Sequence, residues 1–343
     1  MSLPYIFGCQ STSLSCEERK FFIDTQPFGF ILFQRNCIDK RQVKELVKKL
    51  RSCVKHWAPI LIDQEGGRVQ RLKAPVWRSA PAAAIFGEIF QSKPEAAKEL
   101  VFLNARLIAE ELFDLGIDVN CAPVVDLKEP NASCVIGDRA FSSDLEITTI
   151  LGRSAIDGFE NGGVAPILKH IPGHGRAEVD SHLALPKINS EMSPLKKRDF
   201  KTFFSLNDCK AAMTGHLLFS QIDPINPVTT SSIIINELIR EHINFQGLLL
   251  SDDLSMEALS GSLSQRASKA LSAGCDIGLH CNGRLDEMAE IASTKLQFNK
   301  DSETRRDTFL SQIKRLKKNR KNINYESTLH KFNEKLTSTC ADH

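Results

Sequence analysis

No stretch of this 343-residue sequence stays apolar for the roughly 20 residues that a membrane-crossing helix needs. The first residues, Met-Ser-Leu-Pro-Tyr-Ile-Phe-Gly, lack the basic leader and apolar core of a signal peptide. Ten cysteines are scattered from Cys9 to Cys340 without one Cys-x-x-Cys pair, which favours free thiols over a disulfide framework. The Asn131-Ala-Ser133 sequon is then idle, because the chain would not meet glycosylation machinery. Charge of one sign is also missing: the net charge of +2 gives no reason to expect nucleic acid or an acidic partner. No Gly-x-Gly-x-x-Gly follows an early apolar run, and no repeat or low-complexity linker divides the chain. These absences lead to the expectation of a soluble cytoplasmic protein that uses neither membrane nor nucleic acid.

What is present is a regular alternation. Short, continuously apolar runs occur at 5–10, 28–34, 59–63, 118–125, 164–169, 210–216, 247–251 and 276–281. Continuous rather than alternating hydrophobicity is the mark of strands buried on both faces, as in a parallel sheet. Helical stripes lie between them, such as Val43, Leu46, Val47, Leu50 and Val54, or Val101, Ala105, Ile108, Leu112 and Leu115. Gly116 and Gly274 follow helical runs and precede strands, where helices commonly stop. Eight strands alternating with about eight helices predict an α/β fold, a single (β/α)8 TIM-type barrel with right-handed crossovers. Residues 1–310 are expected to form the barrel, and 311–343 an appended C-terminal helix and loose basic tail. The run Lys314 to Lys321 reads as a solvated helix end.

The barrel reading makes a test available within the sequence, since chemistry gathers at the C-terminal ends of barrel strands. Those ends carry Asp63-Gln-Glu-Gly-Gly-Arg68, Asp126, Lys169-His170, His216 and Ser251-Asp252-Asp253, whereas opposite loops such as Asn161-Gly162-Gly163 carry turn residues. Residues 169–182 are the densest: three histidines (His170, His174, His182), Lys169 and Asp180, with Gly173 and Gly175 among them. Histidine is the side chain whose ordinary pKa lies nearest neutrality, so it is the usual proton carrier. Asp180 and His182, one residue apart, can share a side of an extended chain, and a carboxylate beside an imidazole fixes its tautomer. Lys169 and His170, at the strand end, read as ligand contacts, and His174 between two glycines as a loop-shaping residue. Of Asp252 and Asp253, adjacent on a strand, one can face the barrel axis, and Asp253 is the one expected to cap the following helix. Arg139, in a long segment after the fourth strand, offers a planar fork of donors to hydroxyl or carboxylate oxygens.

Lys169-His-x-Pro-Gly-His-Gly, Asp180-Ser-His182 and Ser251-Asp-Asp-Leu-Ser-Met256 together resemble the bacterial β-N-acetylhexosaminidases of glycoside hydrolase family 3. Asp63-Gln-Glu-Gly-Gly-Arg-Val-Gln-Arg71, Gly137-Asp-Arg-Ala-Phe141 and Met213-Thr-Gly-His216 extend the likeness over about residues 5–300. More closely, the chain is similar to the cytosolic, single-domain enzymes of cell-wall recycling. The resemblance implies a retaining hydrolase of terminal β-linked N-acetylglucosamine, with a glycoside derived from muropeptides as substrate. Asp252 would be the nucleophile, His182 the acid and base, and Asp180 its orienting partner. Asp63, Arg71, Arg139, Lys169 and His170 match sugar-binding positions. No cofactor or metal is implied, and a monomer is expected. Two departures stand out: Gly215 where relatives often have alanine, and Arg176-Ala177 in place of a more polar pair, which bears on loop mobility and on the aglycone side. The alternatives are a β-glucosidase or phosphorolytic member of the family, or a metal-dependent barrel hydrolase using His170, His174, His182 and Asp252. The last lacks the early-strand His-x-His expected of it.

Overall fold

The computed structural model describes residues 2–129, 135–181 and 183–340. Its eight main strands fall where the apolar runs predict them: β1 (Leu3–Gly8), β2 (Pro27–Leu32), β3 (Ile60–Ile62), β4 (Val119–Asn120), β5 (Ala165–Pro166 and Leu168–Ile171), β6 (Ala211–Thr214), β7 (Leu248–Asp253) and β8 (Ile277–His280). All neighbours pair in parallel, with registers such as Leu61 opposite Val119 and Tyr5 opposite Gly278. The first half of β5 pairs with β4 and the second half with β6, so one strand completes the ring. The fold is therefore a TIM-type barrel.

Strands β4 and β5 are more broken than an apolar run from 118 to 125 predicts. Pro123 and Pro166 have no N–H to give to the ladder. Pairing resumes past them, where Val125 N–H reaches Lys169 O at 3.0 Å and Val124 bridges to Lys169.

Burial divides cleanly. Ile6, Leu61, Val119, Ala211, Leu248, Leu250, Ile277 and Leu279 fill the barrel interior. Tyr5, Phe7, Phe30, Ile60 and Ile62 point outward into the layer beneath the helices. Helix α1 (Pro94–Leu115) buries Val101, Ala105, Ile108, Leu112 and Leu115 as its spacing predicts, and Gly116 ends it at φ 79°. Helix α2 (Leu145–Asn161) packs beside α1.

The C-terminal segment differs from the expected loose tail. A helix, α3 (Lys300–Asn319), runs through position 310 and plugs the bottom of the barrel with Phe309, Ile313 and Leu316. Much of the basic run is docked rather than solvated: Lys317 pairs with buried Asp118, and Arg320 pairs with Glu110 while lying over the Phe113 ring. A second helix, α4 (Tyr325–Cys340), lies on α1, with Tyr325 Oη donating to Glu111 at 2.8 Å and Phe332 buried. The physical reason is that an open barrel end exposes apolar side chains, and a helix across it removes them from water. Among the described residues no helix is long and apolar enough to cross a membrane.

Candidate active site

The C-terminal ends of the strands surround a cavity of about 240 Å³. Asp63, Arg71, Arg139, Lys169, His170, Asp180 and Asp252, all singled out from the sequence, line it. His182, the eighth, lies outside the described residues. Met213, Leu279, Cys281, Val69 and Val135 supply an apolar surface beside these polar groups. Such a mixture, with a few convergent polar groups in a largely preformed hollow, is the usual make-up of a small-ligand site.

Strand β5 contributes Lys169 and His170. Both line the cavity. Lys169 Nζ lies 2.8 Å from Asp63 Oδ1 and 2.7 Å from Glu65 Oε1. Arg71 Nη2 meets the other Asp63 oxygen at 3.1 Å, with its guanidinium over the Phe33 ring. Arg139 grips Glu65 as a fork, Nε and Nη2 each 2.8 Å from one carboxylate oxygen. Two carboxylates and three cations thus form one connected network. Burial opposes the charges of Asp63 and Glu65, but Lys169 and Arg71 outweigh it at Asp63, and Arg139 and Lys169 at Glu65, so both stay below the ordinary carboxylate range. Burial likewise works against Lys169 and Arg139, and the same carboxylates reverse it, raising both. Asp63, Glu65, Lys169 and Arg139 are thus charged at neutral pH, and the network presents fixed donors and acceptors, the chemistry that recognises a polyhydroxylated ligand.

Sequence patterning assigns no role to Glu65, although it stands two residues from Asp63. That spacing, which puts both side chains on one side of an extended chain, is the signal that could have found it. Asp126 is a second such residue, legible in the sequence only as a strand-end acid. Fully buried, it accepts from His170 Nδ1 at 2.8 Å and from the His174 backbone N–H at 2.6 Å. It therefore fixes the His170 ring and the start of the following loop together. His174 does shape that loop: its Nε2 is 3.3 Å from Ser181 Oγ, and burial, with nearby His170, pushes its pKa down to about 4, so the ring is neutral.

Strand β7 delivers the two adjacent acids to different tasks. Asp252 lines the cavity. Burial disfavours its charge, but His216, His170 and the Asp253 N–H outweigh that, leaving the carboxylate below its ordinary range. Asp253 turns away. The capping expected of it is directed to a turn rather than to a helix, since the next helix begins at Leu263. Its Oδ1 accepts from Ser255 N–H at 3.0 Å and from Cys281 N–H at 3.2 Å, tying β7 to the end of β8. His216 backs this arrangement from β6. Its Nε2 lies 2.9 Å from the Asp253 carbonyl, which has no proton to give, so Nε2 donates; Nδ1 lies 2.7 Å from Thr229 Oγ1. Burial lowers its pKa, against the opposing pull of Asp252.

Among the described residues, no three His, Cys, Asp or Glu side chains are arranged to hold a metal ion. Of the ligands named for the metal-dependent alternative, His182 lies outside the described residues, while His170 is bonded through Nδ1 to Asp126 and His174 through Nε2 to Ser181.

Comparison with known proteins agrees with this geometry. A family model described as "Glycosyl hydrolase family 3 N terminal domain" matches residues 9–314. A protein named beta-hexosaminidase from Alkalilimnicola ehrlichii is 38% identical over 283 residues, 81% of this chain and 80% of that protein. One of the same name from Pseudomonas aeruginosa is 37% identical over 289 residues, 83% of this chain and 84% of that protein. Among solved structures, NagZ from Neisseria gonorrhoeae in complex with N-trifluoroacetyl-D-glucosamine superposes with a TM-score of 0.84 at 29% identity, covering 99% of this chain and 98% of that one. A glycoside hydrolase family 3 beta-N-acetylglucosaminidase from a Paenibacillus species gives 0.85 at 27% identity, covering 97% and 67% respectively.

Proposed function

The chain belongs to glycosyl hydrolase family 3, and from that premise we propose that it is a retaining exo-β-N-acetylglucosaminidase. Its reaction removes β-linked N-acetylglucosamine from the non-reducing end of its substrate. The natural substrate is N-acetylglucosaminyl-1,6-anhydro-N-acetylmuramic acid, with or without its peptide, and the enzyme works as a cytoplasmic monomer in cell-wall recycling.

In the proposed mechanism the Asp252 carboxylate attacks the anomeric carbon as the bond to the leaving oxygen breaks, and a covalent glycosyl-enzyme forms. His182 gives its proton to the leaving oxygen, and Asp180 orients its ring. In the second step His182 takes a proton from water, whose oxygen displaces Asp252 from the anomeric carbon. This two-step displacement accounts for retention, with histidine taking the role more often held by a second carboxylic acid. Lys169, His170, Asp63, Arg71 and Arg139 hold the sugar hydroxyls and the N-acetyl group.

The observation that carries this reading is the state of Asp252: an ionised carboxylate, held below its ordinary range, in the wall of a cavity lined by donors and acceptors. A nucleophile has to be unprotonated at working pH. A fluorinated N-acetylglucosamine donor that stalls the second step provides the test. Peptide mapping should find the label on Asp252; a label on Asp253, or turnover that never yields a covalent adduct, overturns the mechanism. Faster turnover of aryl β-glucosides than of aryl N-acetyl-β-glucosaminides would overturn the substrate assignment.

A further inference from the structure

The loop that leaves β5 is anchored and free by turns. As far as Ala177 it is buried or nearly so. Gly173 adopts φ 142°, a backbone conformation that favours glycine, beside Asp199. Gly175 crosses the Leu127 carbonyl, where a Cβ would come within 1.8 Å of the oxygen, so no other residue fits without the backbone moving. Beyond Ala177 the character changes: Glu178 and Val179 are exposed before the chain returns to bury Ser181 beside His174.

The last anchor before that exposed tip is Arg176. Its Nε donates to both oxygens of Asp199, at 2.9 and 3.1 Å, and Asp199 is almost fully buried. A terminal nitrogen of Arg176 also lies 3.8 Å from Glu129 Oε1, which is 2.8 Å from Arg198 Nη2. Two arginines and two carboxylates therefore join three separate segments: the loop, the stretch after β4, and the start of the helix Asp199–Ser205.

We propose that Arg176 is a positioning residue for proton transfer, fixing through Asp199 and Glu129 the loop on which Asp180 lines the cavity. The inference rests on the assignment of Asp180 and His182 to that step. Of the sugar-holding groups, Lys169 and His170 stand on β5, Asp63 and Arg71 flank the hairpin of Gln64–Gly66 and Val69–Gln70, and Arg139, in the turn Gly137–Arg139, is gripped by Glu65 of that hairpin, so each has its own support. Asp180 follows the anchor by four residues on the same loop, and a displacement of about 1 Å in a proton-transferring group costs on the order of a hundredfold in rate.

The test compares kcat/KM, which reports bond cleavage, on two substrates: the 2,4-dinitrophenyl and the methyl β-glycosides of N-acetylglucosamine. The first leaves without protonation and the second does not. Arg176→Ala and Asp199→Asn should each lower kcat/KM on the methyl glycoside by about 10- to 100-fold and on the dinitrophenyl glycoside by less than about threefold. Inhibition by free N-acetylglucosamine should be unchanged, and Arg176→Lys should recover part of the loss. Equal losses on both substrates, or none on either, overturn the proposal; Arg176→Lys and Asp199→Asn keep it testable if Arg176→Ala fails to fold. His182→Ala is measured alongside. If that variant does not discriminate between the two substrates, the assignment of the proton carrier has failed, and the role of Arg176 falls with it.

Discussion

Asp253 donates its backbone N–H to Oδ1 of Asp252 at 2.8 Å, so the second of two adjacent acids helps to hold the charge of the first. The pair looks redundant in sequence and is not. Asp252→Ala should lower kcat by at least about three orders of magnitude, roughly 4 kcal/mol of barrier. Asp253→Ala should instead cost about 1–3 kcal/mol of stability, by leaving the Ser255 and Cys281 N–H groups short of an acceptor. Steady-state kinetics and urea denaturation on both variants separate the two roles; the opposite pattern would exchange them.

Lys169 is the hub between Asp63 and Glu65. Replacing it with methionine keeps the side-chain bulk but removes the charge that both buried carboxylates face. A cost of about 3–5 kcal/mol is expected, as for breaking any buried ion pair by removing one partner. The m-value should stay constant in urea, and affinity for N-acetylglucosamine should fall. A stable Lys169→Met protein would mean that Arg71 and Arg139 suffice to balance the pair.

The pH dependence of stability has a defined sign. His174 is neutral in the fold, with its pKa lowered from 6.5 to about 4. The unfolded chain therefore binds the extra proton first as pH falls, and stability declines from about pH 6.5 to about pH 4 by roughly 3 kcal/mol. Below that window the lowered carboxylates Asp63, Asp126 and Asp252 take over, since their contribution is present above the ordinary carboxylate pKa and is lost as pH drops through their folded values. Denaturation curves for His174→Gln should be flatter than the parent's between pH 6.5 and 4. Parallel curves would assign the decline to other groups.

Phe332 anchors α4 against α1, with the Arg78 guanidinium over its ring. Phe332→Ala should destabilise the protein by about 3–5 kcal/mol. The catalytic constants of the remaining folded protein should be unaltered, because this contact is remote from the cavity. A variant with normal Tm would show that α4 contributes nothing to folding the barrel.

The strands are legible in the sequence because each is a local pattern: a short apolar run bounded by turn residues needs no distant information. For the same reason the histidines, lysine and aspartates of 169–182 and 251–253 can be placed at strand ends from spacing alone. Glu65 and Asp126 are harder to read, because their roles depend on partners far along the chain. Arg139 is 74 residues from Glu65, and His170 is 44 from Asp126. The C-terminal helices mislead for a related reason. Their basic residues look solvated until Asp118 and Glu110, about 200 residues earlier, are brought beneath them.

The sequence by itself determined the alternation of strands and helices, the end of the barrel where chemistry collects, and most of the residues lining the cavity. Periodicity and turn chemistry act over a few residues and are written there directly. Only the tertiary structure decided that Asp253 caps a turn rather than a helix, that Glu65 and Asp126 hold the cavity-lining groups in place, and that Arg176 is tied to Asp199. Those outcomes depend on ring closure, which sets side chains from different strands within hydrogen-bonding distance of each other and buries them, so that each charge keeps its state through its neighbours.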